Sequence, residues 1–228
     1  MSFELFKNAL PVILDGLYLT VVITLLAFAL GQFVALPLAL LANARSRWLS
    51  SPMRTYIFCI RGSPLLVQLF IIYYGFGSLE LVRSSLLWPI LREPLYCAIL
   101  AVGLNSAAYV AELLRGTIRQ FPVGQSEAAK ALGMSGWQAM RHITLPQVYR
   151  SVLPVLGNEI VLVMKASSLA SAVTVVEMTG AARAFVARTY APFEVFAAAG
   201  CFYLIFGLVL AMTFKALERQ VAVPGLHR

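Results

Sequence analysis

Two clusters of polar residues stand inside otherwise apolar stretches of this 228-residue chain, and theirs are the side chains whose types could do chemistry. Asn158, Glu159, Lys165 and Ser168 fall within Val152 to Val176, while Asn105, Tyr109 and Glu112 fall within Leu95 to Leu114. A charge at a bilayer centre costs about 2.5 to 3.5 kcal/mol or more, so such groups face a partner or a watery cavity. Spacings of four and three put Asn105, Tyr109 and Glu112 on one helical face. Arg115, three residues beyond Glu112, is its expected ion partner. Glu159 and Lys165 lie six positions apart, about 120° around a helix, so they cannot satisfy one another and each needs another partner or solvent. A carboxylate roughly 10 Å into a span can attract a cationic substrate, or it can fix packing between helices. The three groups Glu112, Glu159 and Lys165 also suit an ion or proton relay, the chemistry of an ion-coupled secondary amino acid transporter.

Covalent catalysis finds little here. The chain has two histidines, His142 and His227, and no Ser/His/Asp or metal-spaced cluster, so no metal site is expected. Cys59, Cys97 and Cys201 lack disulfide or CxxC spacing and are expected as buried, small apolar residues. No GxxxxGK[ST] phosphate loop occurs.

The elements that must position these residues follow from composition. With 60% apolar and 12% charged residues and a mean hydropathy of +0.82, the chain lies outside the soluble range. About 20 apolar residues cross a bilayer, and five segments qualify: approximately Leu17 to Leu41, Tyr56 to Phe76, Leu95 to Leu114, Val152 to Val176 and Val195 to Phe214. The expectation is one all-α integral membrane domain over residues 1–228, without repeats. No small-residue cleavage site follows the first segment, which is expected to direct insertion itself.

The net charge of +8 is a signal of orientation rather than of nucleic-acid binding. With the N-terminus outside, inner segments hold Arg45, Arg47, Arg54, Arg115, Arg119, Lys130, Arg141, Arg150, Lys215, Arg219 and Arg228; outer ones hold Lys7, Arg83, Arg92, Arg183 and Arg188. Eleven basic residues against five place the N-terminus outside and the C-terminus inside, as an odd number of spans requires.

Between the third and fourth segments lies a cytoplasmic stretch at about 119–150, too long for a plain connection. Ser126 is placed to cap a short helix from Glu127 to about Leu132, with Ala128, Ala129 and Leu132 on one face and Gly133 as a left-handed C-terminal cap. Ser135 caps a second turn holding Trp137 and Met140, and Pro146 marks the start of the fourth span. So short a helix is marginal alone in water and needs a surface to dock on. A groove in a cytoplasmic protein and the lipid headgroups fit that need equally.

The run EAAKALGMSGWQAMRHITLP resembles the EAA loop of ABC importer permeases. Glu127, Ala128, Ala129, Gly133, Ile143, Leu145 and Pro146 occupy its fixed places, and Leu132 lies among them. RGSPLLVQLF, carrying Arg61, Gly62, Ser63 and Pro64, is similar to the signature of the polar amino acid permease group, with Ser63 where that signature has Thr. Physically, Gly62 and Pro64 interrupt the second segment, and Arg61 can snorkel to phosphates, carbonyls or an acid. AAYVAELLRGTI and NEIVLVMKASSLAS resemble permeases for histidine, lysine, arginine, ornithine or opines. The resemblance implies a type I importer permease of the bacterial inner membrane working by alternating access, with Asn105, Tyr109, Asn158, Glu159, Lys165 and Ser168 along the substrate path. It implies two ATPase subunits that bind ATP and magnesium, so this chain has no cofactor of its own. It also implies a second permease, as heterodimer or homodimer, and a periplasmic or lipoprotein substrate-binding protein.

Overall fold

The computed structural model describes residues 3–221; Arg228 and His227 lie outside them. All regular structure among the described residues is helical. Helix α1 (Phe3–Ala42) is followed by α2 (Arg47–Gly62) and α3 (Leu65–Phe70), the latter extended by a wider π turn. Helix α4 (Pro94–Arg119) leads into the short α5 (Val123–Ala131). A four-residue turn, Gly136–Ala139, and a π turn, Met140–Thr144, then enter α6 (Leu145–Ser167), and α7 (Met178–Thr189) and α8 (Pro192–Val221) complete the chain.

Four helical stretches are each long and apolar enough to cross a membrane: Glu4–Ala42, Pro94–Arg119, Gly136–Val173 and Pro192–Val221. The second segment, expected at Tyr56 to Phe76 with an interruption at Gly62 and Pro64, is a broken pair, α2 and α3, bent by 109°. It gives the fifth crossing when counted as one. The bend follows from local chemistry. Pro64 lacks an N–H, and Ser63 before it takes the extended conformation (φ −115°, ψ 148°) that a following proline favours. The 40 residues of α1 reach about 60 Å, twice the roughly 30 Å of hydrocarbon, so the helix begins well before the expected Leu17.

Helix α4 is the centre of the bundle: 67% of its most apolar window is buried, against 28 to 39% in the other three. It packs along α1 through small residues. Ala27, Gly31, Ala35 and Ala39 recur every fourth position on α1 and meet Gly103, Ala107 and Ala111 at the same interval on α4. Lipid tails are as apolar as leucine, so helices in a membrane associate by close packing rather than by hydrophobic burial. The approach leaves no room for another carbon: a Cβ on Gly103 would stand 2.8 Å from Leu30 Cδ2 and 3.0 Å from the Ala27 carbonyl oxygen.

The cysteines correct an expectation. Cys97 is buried, but Cys59 on α2 and Cys201 on α8 are exposed. Gly103→Val should force α1 and α4 apart at a cost of about 1 to 3 kcal/mol. A thermal unfolding midpoint in detergent no lower than that of the unaltered protein would contradict this packing.

Candidate functional site

The 119–150 stretch is ordered, but its short helix begins earlier than expected. Helix α5 starts at Val123 with Pro122 at the cap position, so Ser126 lies inside the helix rather than at its N-cap. Its C-terminus is as expected. Gly133 takes φ +80°, Met134 N–H donates to Ala129 O at 3.0 Å, and Gly133 N–H donates to Lys130 O at 2.9 Å. This is a Schellman cap, whose left-handed residue is most easily a glycine. Ser135 caps the next turn: its hydroxyl accepts from Gln138 N–H, and Gln138 Oε1 accepts from Ser135 N–H at 2.7 Å.

The expected single docking face of α5 is split. Ala129 is buried at 1% exposure against its own chain, whereas Ala128 is exposed and Leu132 is 83% exposed. Glu127 and Gly133 also face outward, with Trp137 at 61%. Ile143, Leu145 and Pro146 belong to a different feature, the lead-in to α6. Pro146 cannot donate to the carbonyl four residues back. The preceding turn widens to the π pattern, with Leu145 N–H donating to Met140 O, and the helix continues. Gln147 Nε2 donates to Gln125 Oε1 at 2.8 Å and ties α5 to the base of α6.

The signature at the break has a structural explanation. Ser63 Oγ donates to Cys59 O at 2.8 Å. Gln68 Nε2 donates to Ile60 O at 2.8 Å and to Ser63 Oγ at 2.9 Å, and its Oε1 accepts from Asn105 Nδ2 at 3.1 Å. One buried amide therefore satisfies the free end of α2 and binds it to α4. Sequence reasoning missed Gln68, although a lone glutamine four residues beyond a membrane Gly-Ser-Pro break is a readable signal. Arg61 is exposed, and its guanidinium lies 5.3 Å from the centre of the Tyr109 ring.

The six candidate path residues do not converge on one pocket. Asn105 serves the break, and the Tyr109 hydroxyl sits 3.4 Å from Arg61 O. Glu112, on the same face, bonds Arg115 as its spacing implied, with Arg115 Nε 2.8 Å from Oε2. Half-buried Glu159 takes a partner from another helix: Ser106 Oγ donates to its Oε1 at 2.7 Å. Ser106 was not foreseen. Asn158 and Lys165, one turn pair apart, open instead onto a groove of about 660 Å³ between α6 and α8, beside Tyr203 and Gly207. Ser168 Oγ donates to Lys165 O at 2.7 Å.

A second buried carboxylate also escaped the sequence reading. Glu177, fully buried at the N-cap of α7, accepts from Thr179 and Gly180 N–H at 2.9 Å each and from the Tyr203 hydroxyl at 2.6 Å. Met178 N–H donates to Thr20 Oγ1 on α1. A Cβ on Gly16 would stand 2.6 Å from the Glu177 carbonyl carbon, so glycine is what lets α1 approach this turn. The N-cap pattern Glu-Met-Thr-Gly was the available signal.

Residues 35–223 match the family described as "Binding-protein-dependent transport system inner membrane component". The octopine transport system permease protein OccM of Rhizobium radiobacter is 45% identical over 206 residues, covering 90% of this chain and 84% of its own. The histidine/lysine/arginine/ornithine transport system permease protein HisM of Escherichia coli is 35% identical over 206 residues, with coverages of 90% and 87%. A chain from a crystal structure of an amino acid ABC transporter with histidines superposes with a TM-score of 0.83 at 31% identity, covering 96% of this chain and 99% of that one.

Gln68→Leu should strand buried polar groups on α2 and α4, at about 1 to 3 kcal/mol for each group left without a bond. Loss of thermal stability in detergent, with Asn105→Leu partly restoring it in the double variant, is the expected result; additive losses in the pair would refute the shared bond.

Proposed function

The chain belongs to the family of binding-protein-dependent transport system inner membrane components, and as such it is a permease subunit of an ABC importer in the inner membrane; within that family we propose that it moves cationic amino acids or opines. Relatives named for octopine, nopaline, arginine and histidine/lysine/arginine/ornithine transport support the substrate class. The observation that carries the mechanism is that α6 joins both candidate regions. At its base stand α5 and the turn with Trp137; about 21 Å along it, fourteen residues past Leu145, stands Glu159.

A nine-residue helix has little stability of its own. Its outward residues, Glu127, Ala128 and Leu132, dock into a separate ATPase subunit on the cytoplasmic side, where the N-terminus-outside orientation puts them. That subunit binds ATP and magnesium and hydrolyses the nucleotide; this chain supplies none of that chemistry. Closure of two ATPases displaces α5, and the Gln125–Gln147 bond, the buried Ala129 and the continuous helix pass the displacement up α6. A rigid helix transmits such movement because its hydrogen-bonded turns do not stretch.

Glu159 then changes its exposure within the path. Ser106 holds one of its oxygens, and the other remains to meet a guanidinium or ammonium group in the low-dielectric interior. Polar Asn158 and Lys165 on an outer face of α6 need cover within a membrane. A second permease subunit, a similar chain forming a heterodimer, provides it, and a binding protein delivers substrate from outside.

Two results test this. Glu159→Gln should lower uptake of a cationic substrate about tenfold, the equivalent of about 1.4 kcal/mol, with the assembly intact; unchanged uptake at full expression would reject the role. Gly133→Leu has open space around it but must hold φ +80°, a strain of about 1 to 2 kcal/mol. In the reconstituted complex it should leave ATP hydrolysis running while uptake per ATP falls severalfold, and a normal ratio would sink the coupling account.

A further inference from the structure

The N-terminal half of α2 carries a feature that neither the coupling nor the substrate path uses. No Asp or Glu occurs between Asp15 and Glu80, whereas Arg45, Arg47, Arg54 and Arg61 lie within that interval. Arg54 is occupied: its Nε donates to Ala42 O at 2.9 Å and caps the C-terminus of α1. Arg61 lies on Tyr109. Arg45 and Arg47 are exposed, and no hydrogen bond or ion pair within the described residues engages them. Glu112, the one acid in the body of the neighbouring α4, already binds Arg115.

Beside these two arginines stands Trp48, 91% exposed, on an open groove of about 580 Å³ lined by Arg47, Trp48, Ser51, Pro52 and Thr55. The hydroxyls of Ser51 and Thr55 are likewise free to donate. Ser50 and Ile57 turn the opposite face of α2 inward. Along the outer face the character changes: Phe58 is 78% exposed and Cys59 follows it, about 15 Å up the helix from Trp48. The face thus presents two bare cations and hydroxyl donors at one end, an indole in the middle and an apolar strip beyond.

The geometry points to a binding site for one anionic phospholipid, its phosphate against Arg45, Arg47 and Ser51 and its acyl chain along Thr55, Phe58 and Cys59. The order of chemistry along the helix matches that of a lipid molecule, with tryptophan at the level where interfacial tryptophans sit. Juxtamembrane arginines draw anionic headgroups. A soluble anion would use the cations without the strip, and a protein partner would bury Trp48.

The test uses the full-length chain in its transporter assembly, reconstituted in phosphatidylcholine vesicles containing brominated phosphatidylglycerol. The Trp48 signal is taken as the difference between the unaltered protein and Trp48→Phe. Quenching should show phosphatidylglycerol preferred over brominated phosphatidylcholine at least fivefold, and Arg45→Gln and Arg47→Gln should each reduce the preference about fivefold. Equal quenching by the two lipids would overturn the site. So would a Trp48 signal that neither brominated lipid reaches, which would mean a protein covers it. Loss of the preference on adding millimolar inorganic phosphate at constant ionic strength would overturn it too, by showing a site for free anions.

Discussion

Within hydrocarbon, no water is available to a backbone N–H or C=O, so every departure from the α-helix must be repaired from inside the protein. Three such departures among the described residues show the repair. At the Gly62–Pro64 break, Gln68 and Ser63 take up the free groups of α2. At Pro146 the helix widens to a π turn rather than ending. At the start of α7, where a helix N-terminus is fully buried, the Glu177 carboxylate accepts two backbone N–H groups and Thr20 accepts a third. Gln32 departs from the rule: its amide nitrogen and oxygen are buried without a hydrogen-bond partner within the described residues, and nothing in the fold accounts for it.

The same constraint sets how the bundle can be held. With apolar surface worth little against lipid, close contact and polar bonds between helices carry the association. The small-residue track between α1 and α4 supplies the first. The second is a set of single bridges, each joining a different pair: Gln68 to Asn105 between α3 and α4, Ser106 to Glu159 between α4 and α6, and Tyr203 to Glu177 between α8 and α7. Helix α4 takes part in two of them, which agrees with its being the most enclosed span. A centre fixed in this way leaves α6, bonded to it at the half-buried Glu159, as the element with a docking loop at one end and a polar face turned outward.

Much of this was legible in the chain itself. Length, hydropathy and the spacing of apolar runs gave the membrane helices, because a bilayer fixes the number of residues a crossing needs. The left-handed cap at Gly133, the Ser135 cap, the Glu112–Arg115 pair and the separation of Glu159 from Lys165 are all consequences of helical periodicity within a few residues, and each is found. The EAA run and the RGSPLLVQLF run carry the family resemblance in the sequence itself.

What the chain did not disclose lies between elements distant in sequence. The start of α5 moved to Pro122, which makes no side-chain cap bond, although local preference favours Ser126 as the cap. The docking face divided because Ala129 is claimed by the protein's own interior, which periodicity cannot know. The bonds that tie Ser106, Gln68 and Glu177 to other helices reach partners 53, 37 and 26 positions away, which no local pattern reveals. Sequence determines which residues share a helical face, since that depends on 3.6 residues per turn; only the tertiary packing decides what each face meets, since that depends on which backbones can approach closely enough for a bond to form.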